Sequence, residues 1–250
     1  MKSLANRVAL VTGGAGGIGT AVCEELAAFG ATVVVGYRNS RESAEALAGR
    51  LPRSSFSHAA LRAPVTDSIA LGELAAEVDR RYGRCDILVN CAGTTRFVPH
   101  SRLDELDDTL IDEILATNVR GAFATVRALY PLMGRGGDAL IVNISSIAAF
   151  TAMGSNIMYC ASKAALDNMT KSLARALAPE IRVVSVSPGL VDTEFVRKMD
   201  KAWHDEQAER TPLKRLATPQ EIARTVVAMA TSLTFATGVV VPIDGGRPLG

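Results

Sequence analysis

What the 250-residue chain has little of narrows its function before any motif is read. Aromatic residues make up 5 % of it, with a single tryptophan, and no apolar run reaches the roughly 18 unbroken residues a membrane-spanning helix needs. Neither sign of charge is in excess: 27 Lys and Arg face 26 Asp and Glu, so no net field draws nucleic acid or an anionic membrane to the chain. The four cysteines (Cys23, Cys85, Cys91, Cys160) show no Cys-x-x-Cys and no paired spacing, and the three histidines (His58, His100, His204) are scattered. Neither a disulfide frame nor a metal site is expected. The amino terminus passes from Met1 to Arg7 straight into a strand-like run without an apolar leader, which points to the cytoplasm. A small neutral-to-anionic ligand is the expected partner.

What is present is rhythm. Short Val/Ile/Leu runs at 8–11, 32–36, 87–89, 139–144, 182–186 and 239–243, with a weaker one at 56–61, alternate with helical periodicity at 18–29, 41–50, 68–82, 106–133, 156–178 and 219–232. Nearly continuous apolar strands belong to a parallel sheet buried on both faces. The pattern predicts an α/β fold: a doubly wound, Rossmann-type parallel sheet of about seven strands with helices on both faces, as a single domain over 1–250. Ligands then bind beyond the carboxyl ends of the strands.

Two stretches at such ends carry chemistry. The first strand runs into Thr12-Gly13-Gly14-Ala15-Gly16-Gly17-Ile18-Gly19 and then a helix, a turn that lets backbone approach a pyrophosphate at a helix amino terminus. The fifth strand ends at Ser145-Ser146, and the helix after it carries Tyr159 and Lys163 four residues apart, on one face. A tyrosine that titrates near ~10 exchanges protons poorly at neutral pH unless a neighbour favours the phenolate. At ~4 Å and an effective dielectric near ~20, an ammonium attracts it by about 4 kcal/mol, enough to lower its pKa by about three units.

Thr-Gly-x-x-x-Gly-x-Gly at 12–19, Asn90-Cys91-Ala92-Gly93, Asn118 inside the long helix, Ser146 thirteen residues before Tyr159, Lys163 and Pro188-Gly189 occur in order. Together they resemble the short-chain dehydrogenase/reductase family over essentially the whole chain, closest in general pattern to its 3-oxoacyl-acyl-carrier-protein reductase group. The resemblance implies hydride transfer between a nicotinamide cofactor and a carbonyl/alcohol pair on a small molecule. Ser146 would bond the substrate oxygen, Tyr159 would exchange the proton, Lys163 would favour the phenolate and hold the nicotinamide ribose, and Asn118 would hold water linking the lysine to solvent. Gly13, Gly17, Ile18, Gly19, Asn90, Ala92, Gly93, Pro188, Gly189 and Thr193 would line the cofactor, and relatives form homodimers or homotetramers. Ala161, Ala164 and Ala165 on the Tyr159 helix permit close helix packing.

Cofactor choice rests on the end of the second strand. Tyr37 stands where NAD-preferring members carry aspartate, and Arg38 follows it with Arg41 close by, so NADP(H) is expected ahead of NAD(H), with dual use left open. Pro64-Val65-Thr66-Asp67 departs from the family's Asp-Val-Thr-Asp: the adenine keeps only the Val65 N–H, and Asp67 becomes a helix cap. Cys91 replaces an asparagine and is read as a small floor residue. Substrate choice falls to 94–97, 148–153 and 190–195, with 190–217 as a mobile lid and Phe150, Met153, Phe195 and Trp203 as either pocket or core. Gly137 and Glu180 stand where carrier-protein reductases place basic docking residues, which favours a free small carbonyl. A carrier-bound 3-oxoacyl substrate and a non-catalytic cofactor-binding sensor are the alternatives.

Overall fold

The computed structural model describes residues 3–198 and 200–249, apart from the Phe195 side chain. Seven parallel strands, β1 (Val8–Thr12), β2 (Thr32–Tyr37), β3 (Ala59–Arg62), β4 (Ile87–Asn90), β5 (Ala139–Ile144), β6 (Ile181–Pro188) and β7 (Val240–Ile243), lie in the order β3-β2-β1-β4-β5-β6-β7. The winding reverses between β1 and β4, whose carboxyl ends therefore splay apart into a crevice.

The strands are apolar throughout because helices cover both faces. On one face, Ala9, Val11, Val33 and Val35 pack against Val22 and Leu26 of α1 (Gly17–Ala28) and Ile222 and Val226 of α10 (Pro219–Thr231). On the other, Val8, Leu10, Val34 and Ile141 meet Leu71 and Leu74 of α3 (Ser68–Tyr82), Leu129 and Met133 of α5 (Ala122–Met133), and Leu173 of α7 (Ile157–Leu177). Neighbours along β1 thus alternate between the two cores, the period-2 consequence of the pleat.

Two expected elements differ. The weak strand begins at Ala59, because Phe56 is held in a turn by the Ser54 hydroxyl, which donates to its carbonyl at 2.8 Å. The helix expected over 106–133 is α4 (Asp108–Leu115) and α5 joined by a wide π-helical turn, Ala116–Gly121, that contains Asn118. A Cβ at Gly121 would lie 2.8 Å from Val65 Cγ2, so the turn presses its backbone against the segment after β3. Asp67 caps α3 as expected, accepting the Ile69 and Ala70 N–H groups at 3.1 Å each. The remaining helices are α2 (Arg41–Arg50), α6 (Ala148–Thr151), α8 (Glu194–Arg197) and α9 (Lys201–Glu209), the last two lying within 190–217.

Candidate active site

The crevice is built first from its glycines. Thr12 Oγ1 accepts the N–H groups of Cys91 and Ala92 at 3.1 and 3.2 Å, tying the end of β1 to the segment after β4. Gly13 sits at φ +63°, and a Cβ there would lie 3.0 Å from Ala92 Cα. A Cβ at Gly17 would meet Thr193 Cγ2 at 3.0 Å, so the segment after β6 closes down over the turn. No side chain caps α1, which leaves its leading N–H groups at Gly17 and Ile18 turned to the crevice with the positive end of the helix behind them. That cradle fits a dinucleotide pyrophosphate. Gly189 packs on Asp244, where a Cβ would meet Cα at 2.9 Å, and the Pro188 carbonyl accepts the Ile147 N–H at 2.9 Å. The carboxyl end of β6 therefore holds the loop that carries Ser146.

The polar groups converge beside this cradle. Of the two serines after β5, Ser145 is buried and its hydroxyl donates to the Lys163 carbonyl at 3.4 Å, whereas the Ser146 hydroxyl oxygen accepts the Ala148 N–H at 3.2 Å and lies near enough to the Tyr159 phenol to favour its charged form. Lys163 is buried and its Nζ donates to the Ile144 carbonyl at 2.8 Å. A Cβ at Gly93 would lie 3.4 Å from Asn118 Oδ1 and 3.8 Å from Lys163 Nζ, so these three residues meet in van der Waals contact. Asn118, 1 % exposed, accepts the Thr94 N–H at 2.8 Å and donates to the Thr94 carbonyl at 3.0 Å and to Ser162 Oγ at 3.1 Å.

One electrostatic expectation changes. The ammonium lies 5.7 Å from the Tyr159 ring centroid and is engaged by a carbonyl, so it does not pull the phenol down. Burial raises Tyr159 above its ordinary value, with the nearby Ser146 hydroxyl acting in the opposite sense. Burial also brings Lys163 down to about 8, with Cys91 and Asp167 nearby opposing it. The thiol of Cys91 is pushed up to about 11 by the same desolvation, which suits a floor residue better than a nucleophile.

The lowered lysine has a consequence for stability. An unfolded lysine titrates near ~10.4, so between about 8 and that value the unfolded chain binds more protons than the folded one, and this group's contribution to stability rises with pH. Urea midpoints measured from pH ~7 to ~10 are expected to change more favourably with pH in the wild type than in Lys163→Met, while the buried thiols of Cys23, Cys85 and Cys91, raised by burial, oppose the rise equally in both proteins. Identical slopes in the two proteins would sink the assignment.

At the far end of the crevice Tyr37 is half-buried and Arg38 exposed. Arg41 is held by Glu45 at 2.8 Å, while Arg38 has no ion pair among the described residues. Val65, buried at 6 %, lies against Gly121. Asn90 Nδ2 donates to Asn143 Oδ1 at 2.9 Å while its own Oδ1 is buried without a partner among the described residues. Phe97, Phe150 and Met153 are 67, 57 and 60 % exposed, so they are not core, and Trp203 is half-buried; the Phe195 side chain lies outside the described residues.

Three residues at the site carry no motif. Arg62 ends β3 in register with Tyr37, hence on the same face of the sheet, and is exposed without an ion pair among the described residues. Strand register reveals it, which no local pattern could. Ser162 and Asn156 hold the backbone of Tyr159 from either side. An asparagine just ahead of a helical run is a cap signal, and that much was readable for Asn156. Among the described residues no group of three His, Cys, Asp or Glu gathers as metal ligands, and no helix is long and apolar enough to cross a membrane.

A doubly wound sheet with an uncapped glycine turn, and Ser146, Tyr159 and Lys163 gathered beside it, defines a class of nucleotide-binding oxidoreductases. A family model described as enoyl-(acyl carrier protein) reductase matches residues 13–247. Ketoacyl reductase 2, so named, of the granaticin polyketide synthase from Streptomyces violaceoruber is 38 % identical over 246 residues, 97 % of this chain and 96 % of that protein. The 3-oxoacyl-[acyl-carrier-protein] reductase FabG of Thermotoga maritima is 34 % identical over 251 residues, covering 97 % and 98 %. Among solved structures, a gluconate 5-dehydrogenase from Burkholderia cenocepacia in complex with NADP and tartrate matches with a TM-score of 0.90 and 30 % identity, covering 99 % of this chain and 97 % of that one. The chain belongs to the short-chain dehydrogenase/reductase family.

Proposed function

We propose that the protein interconverts a carbonyl and a secondary alcohol on a small substrate, using NADP(H) in preference to NAD(H). The observation that carries this reading is the meeting of Ser146, Tyr159, Lys163, Asn118 and Gly93 at the carboxyl edge of the sheet, beside the uncapped start of α1. A nicotinamide nucleotide, when bound, supplies or accepts a hydride. The protein handles the proton. Ser146 donates to the substrate oxygen, and the Tyr159 hydroxyl gives that oxygen a proton during reduction, while its phenolate form takes the proton during oxidation. Lys163 holds ribose hydroxyls and supplies positive charge, and Asn118 fixes the Thr94 backbone beside it. Gly13, Gly17, Ile18 and Gly19 cradle the pyrophosphate; Asn90, Ala92, Gly93, Pro188, Gly189 and Thr193 flank the nicotinamide end; Tyr37, Arg38 and Val65 receive the adenosine.

The preference for a 2′-phosphate rests on two unpaired guanidiniums, Arg38 and Arg62, at adjacent strand ends with no carboxylate in the position between them. The solved relative that holds NADP is consistent with it. Equilibrium titration is expected to show NADPH binding at least about tenfold tighter than NADH, with Arg38→Ala and Arg62→Ala each weakening NADPH and leaving NADH nearly unchanged. Equal affinities in the wild type would overturn the preference.

For the substrate, the names of the relatives favour a 3-oxoacyl group, and the exposed Phe97, Phe150 and Met153 offer an apolar rim that an acyl chain could use. Docking of an acidic carrier has less support. Arg135, beside Gly137, is held by Asp79 at 2.9 and 3.1 Å, and Glu180 is exposed. A free small ketone is the reading we carry forward, with 190–217 as its lid. Within that segment Asp192 pairs with Arg197 at 2.9 Å and lies 3.6 Å from His204. Ala161, Ala164 and Ala165 lie exposed on α7, as close packing of a second copy requires.

A further inference from the structure

The loop after β4 and the first turn of α7 are joined by a ring of side-chain hydrogen bonds that closes on Tyr159. On one side Asn156, 0 % exposed, caps α7: its Oδ1 accepts the Tyr159 N–H at 2.7 Å. Its Nδ2 donates to the Arg96 carbonyl at 2.8 Å and to Thr95 Oγ1 at 3.2 Å. The Thr95 hydroxyl meets Ser155 Oγ at 2.5 Å, and the Val98 N–H donates to the Ser155 carbonyl at 2.8 Å. On the other side Asn118 holds both backbone groups of Thr94 and donates to Ser162 Oγ, and the Ser162 hydroxyl donates to the Tyr159 carbonyl at 2.8 Å. Both backbone groups of Tyr159 and both ends of Thr94–Arg96 are therefore tied to each other by side chains.

We propose that Asn156 is a positioning residue that makes the 94–98 wall of the pocket and the Tyr159 hydroxyl one rigid piece, so that a substrate seated against the wall is registered with its proton donor. A cap alone does not call for asparagine, since serine, threonine or aspartate supplies the oxygen equally well. What asparagine adds is a pair of amide donors on the same group, and both are used on the loop. Full burial leaves no water to substitute for either partner. The ring also runs through the contact between the π-helical turn that carries Asn118 and the start of α7, which pack against each other. The proposal rests on the reading of Tyr159 as the proton-transfer group, but the coupling itself has a readout that needs no turnover.

The test uses Asn156→Ser and Asn156→Asp in the full chain. Serine keeps an uncharged cap oxygen and is too short to reach the Arg96 carbonyl; aspartate keeps the cap and has no donor. Hydrogen exchange is read on peptides covering 94–98 and 156–160, together with NADPH affinity, thermal midpoint, kcat and KM. The expected result is faster exchange of 94–98 in both variants, with 156–160 nearly as slow as in the wild type, NADPH affinity within about twofold, and kcat/KM down at least about tenfold, mostly in kcat. Because the serine variant buries no charge, it carries the test if the aspartate variant does not fold. Unchanged exchange in 94–98, or a loss of turnover that only follows a loss of cofactor affinity, overturns the proposal. A Tyr159→Phe protein that still turns over would overturn the proton-transfer reading instead, while the exchange result on Asn156 would still decide the coupling.

Discussion

Replacing Tyr159 with phenylalanine is expected to lower carbonyl turnover by about a thousandfold while NADPH affinity stays within about twofold. The substitution removes one oxygen and little else. The ring remains on α7, and its backbone remains held by Asn156 and Ser162, because neither bond involves the phenol. What is lost is the phenol beside Ser146, the group proposed to pass a proton to the carbonyl oxygen. Burial raises this phenol, so it keeps its proton through the neutral range and is ready as a donor for reduction. Oxidation needs the opposite form, and its rate is expected to climb with pH more steeply than that of reduction. Ser146→Ala should cost less, about a hundredfold, since it removes a hydrogen bond to the reacting oxygen and no proton. Steady-state rates in both directions, with cofactor binding followed by fluorescence, separate these effects. A Tyr159→Phe enzyme within tenfold of the wild type would remove the phenol from the reaction.

Much of this is legible in the sequence alone, for a physical reason. Strands buried on both faces must be written in apolar residues and helices between them must not, so Val8–Thr12, Thr32–Tyr37 and Ala139–Ile144 declare themselves and the doubly wound sheet follows. The glycine turn is legible because close backbone approach tolerates no other residue. Tyr159 and Lys163 are legible because the helix period places them on one face. The rest depends on tertiary geometry that a linear pattern does not carry. The π-helical turn at Ala116–Gly121 exists where Gly121 meets Val65, fifty-odd residues away in sequence, and nothing in Ala-Thr-Asn-Val-Arg-Gly announces a wider turn. The Tyr159 shift runs opposite to what the Lys163 spacing suggests, because the Ile144 carbonyl engages the ammonium and desolvation raises the phenol, neither of which a linear pattern carries. Arg62 is not legible in the linear sequence, because only strand pairing sets it beside Tyr37.

The glycine turn supports a second large effect, of opposite character to the first. Gly19→Ala is expected to abolish measurable NADPH binding and to destabilise the fold, although Gly19 lies in helix α1, where alanine is ordinarily the better residue. A Cβ there would sit 2.2 Å from the Gly13 carbonyl oxygen and 2.9 Å from Gly14 Cα, and all of these are backbone atoms that no rotamer change can move aside. Either the start of α1 withdraws from the turn or the turn opens, and both displace the N–H groups that would meet a pyrophosphate. Gly72→Ala supplies the control. Gly72 lies inside α3 with nothing within 4 Å of its added Cβ, so the same substitution should stabilise the protein by about 1 kcal/mol and leave cofactor binding alone. Opposite signs in urea midpoints, with NADPH titration lost only in the Gly19 variant, would show that close approach and not helix propensity governs the first glycine. If Gly19→Ala binds NADPH like the wild type, the turn does not approach the cofactor as its geometry requires, and the cradle must be sought elsewhere along the crevice.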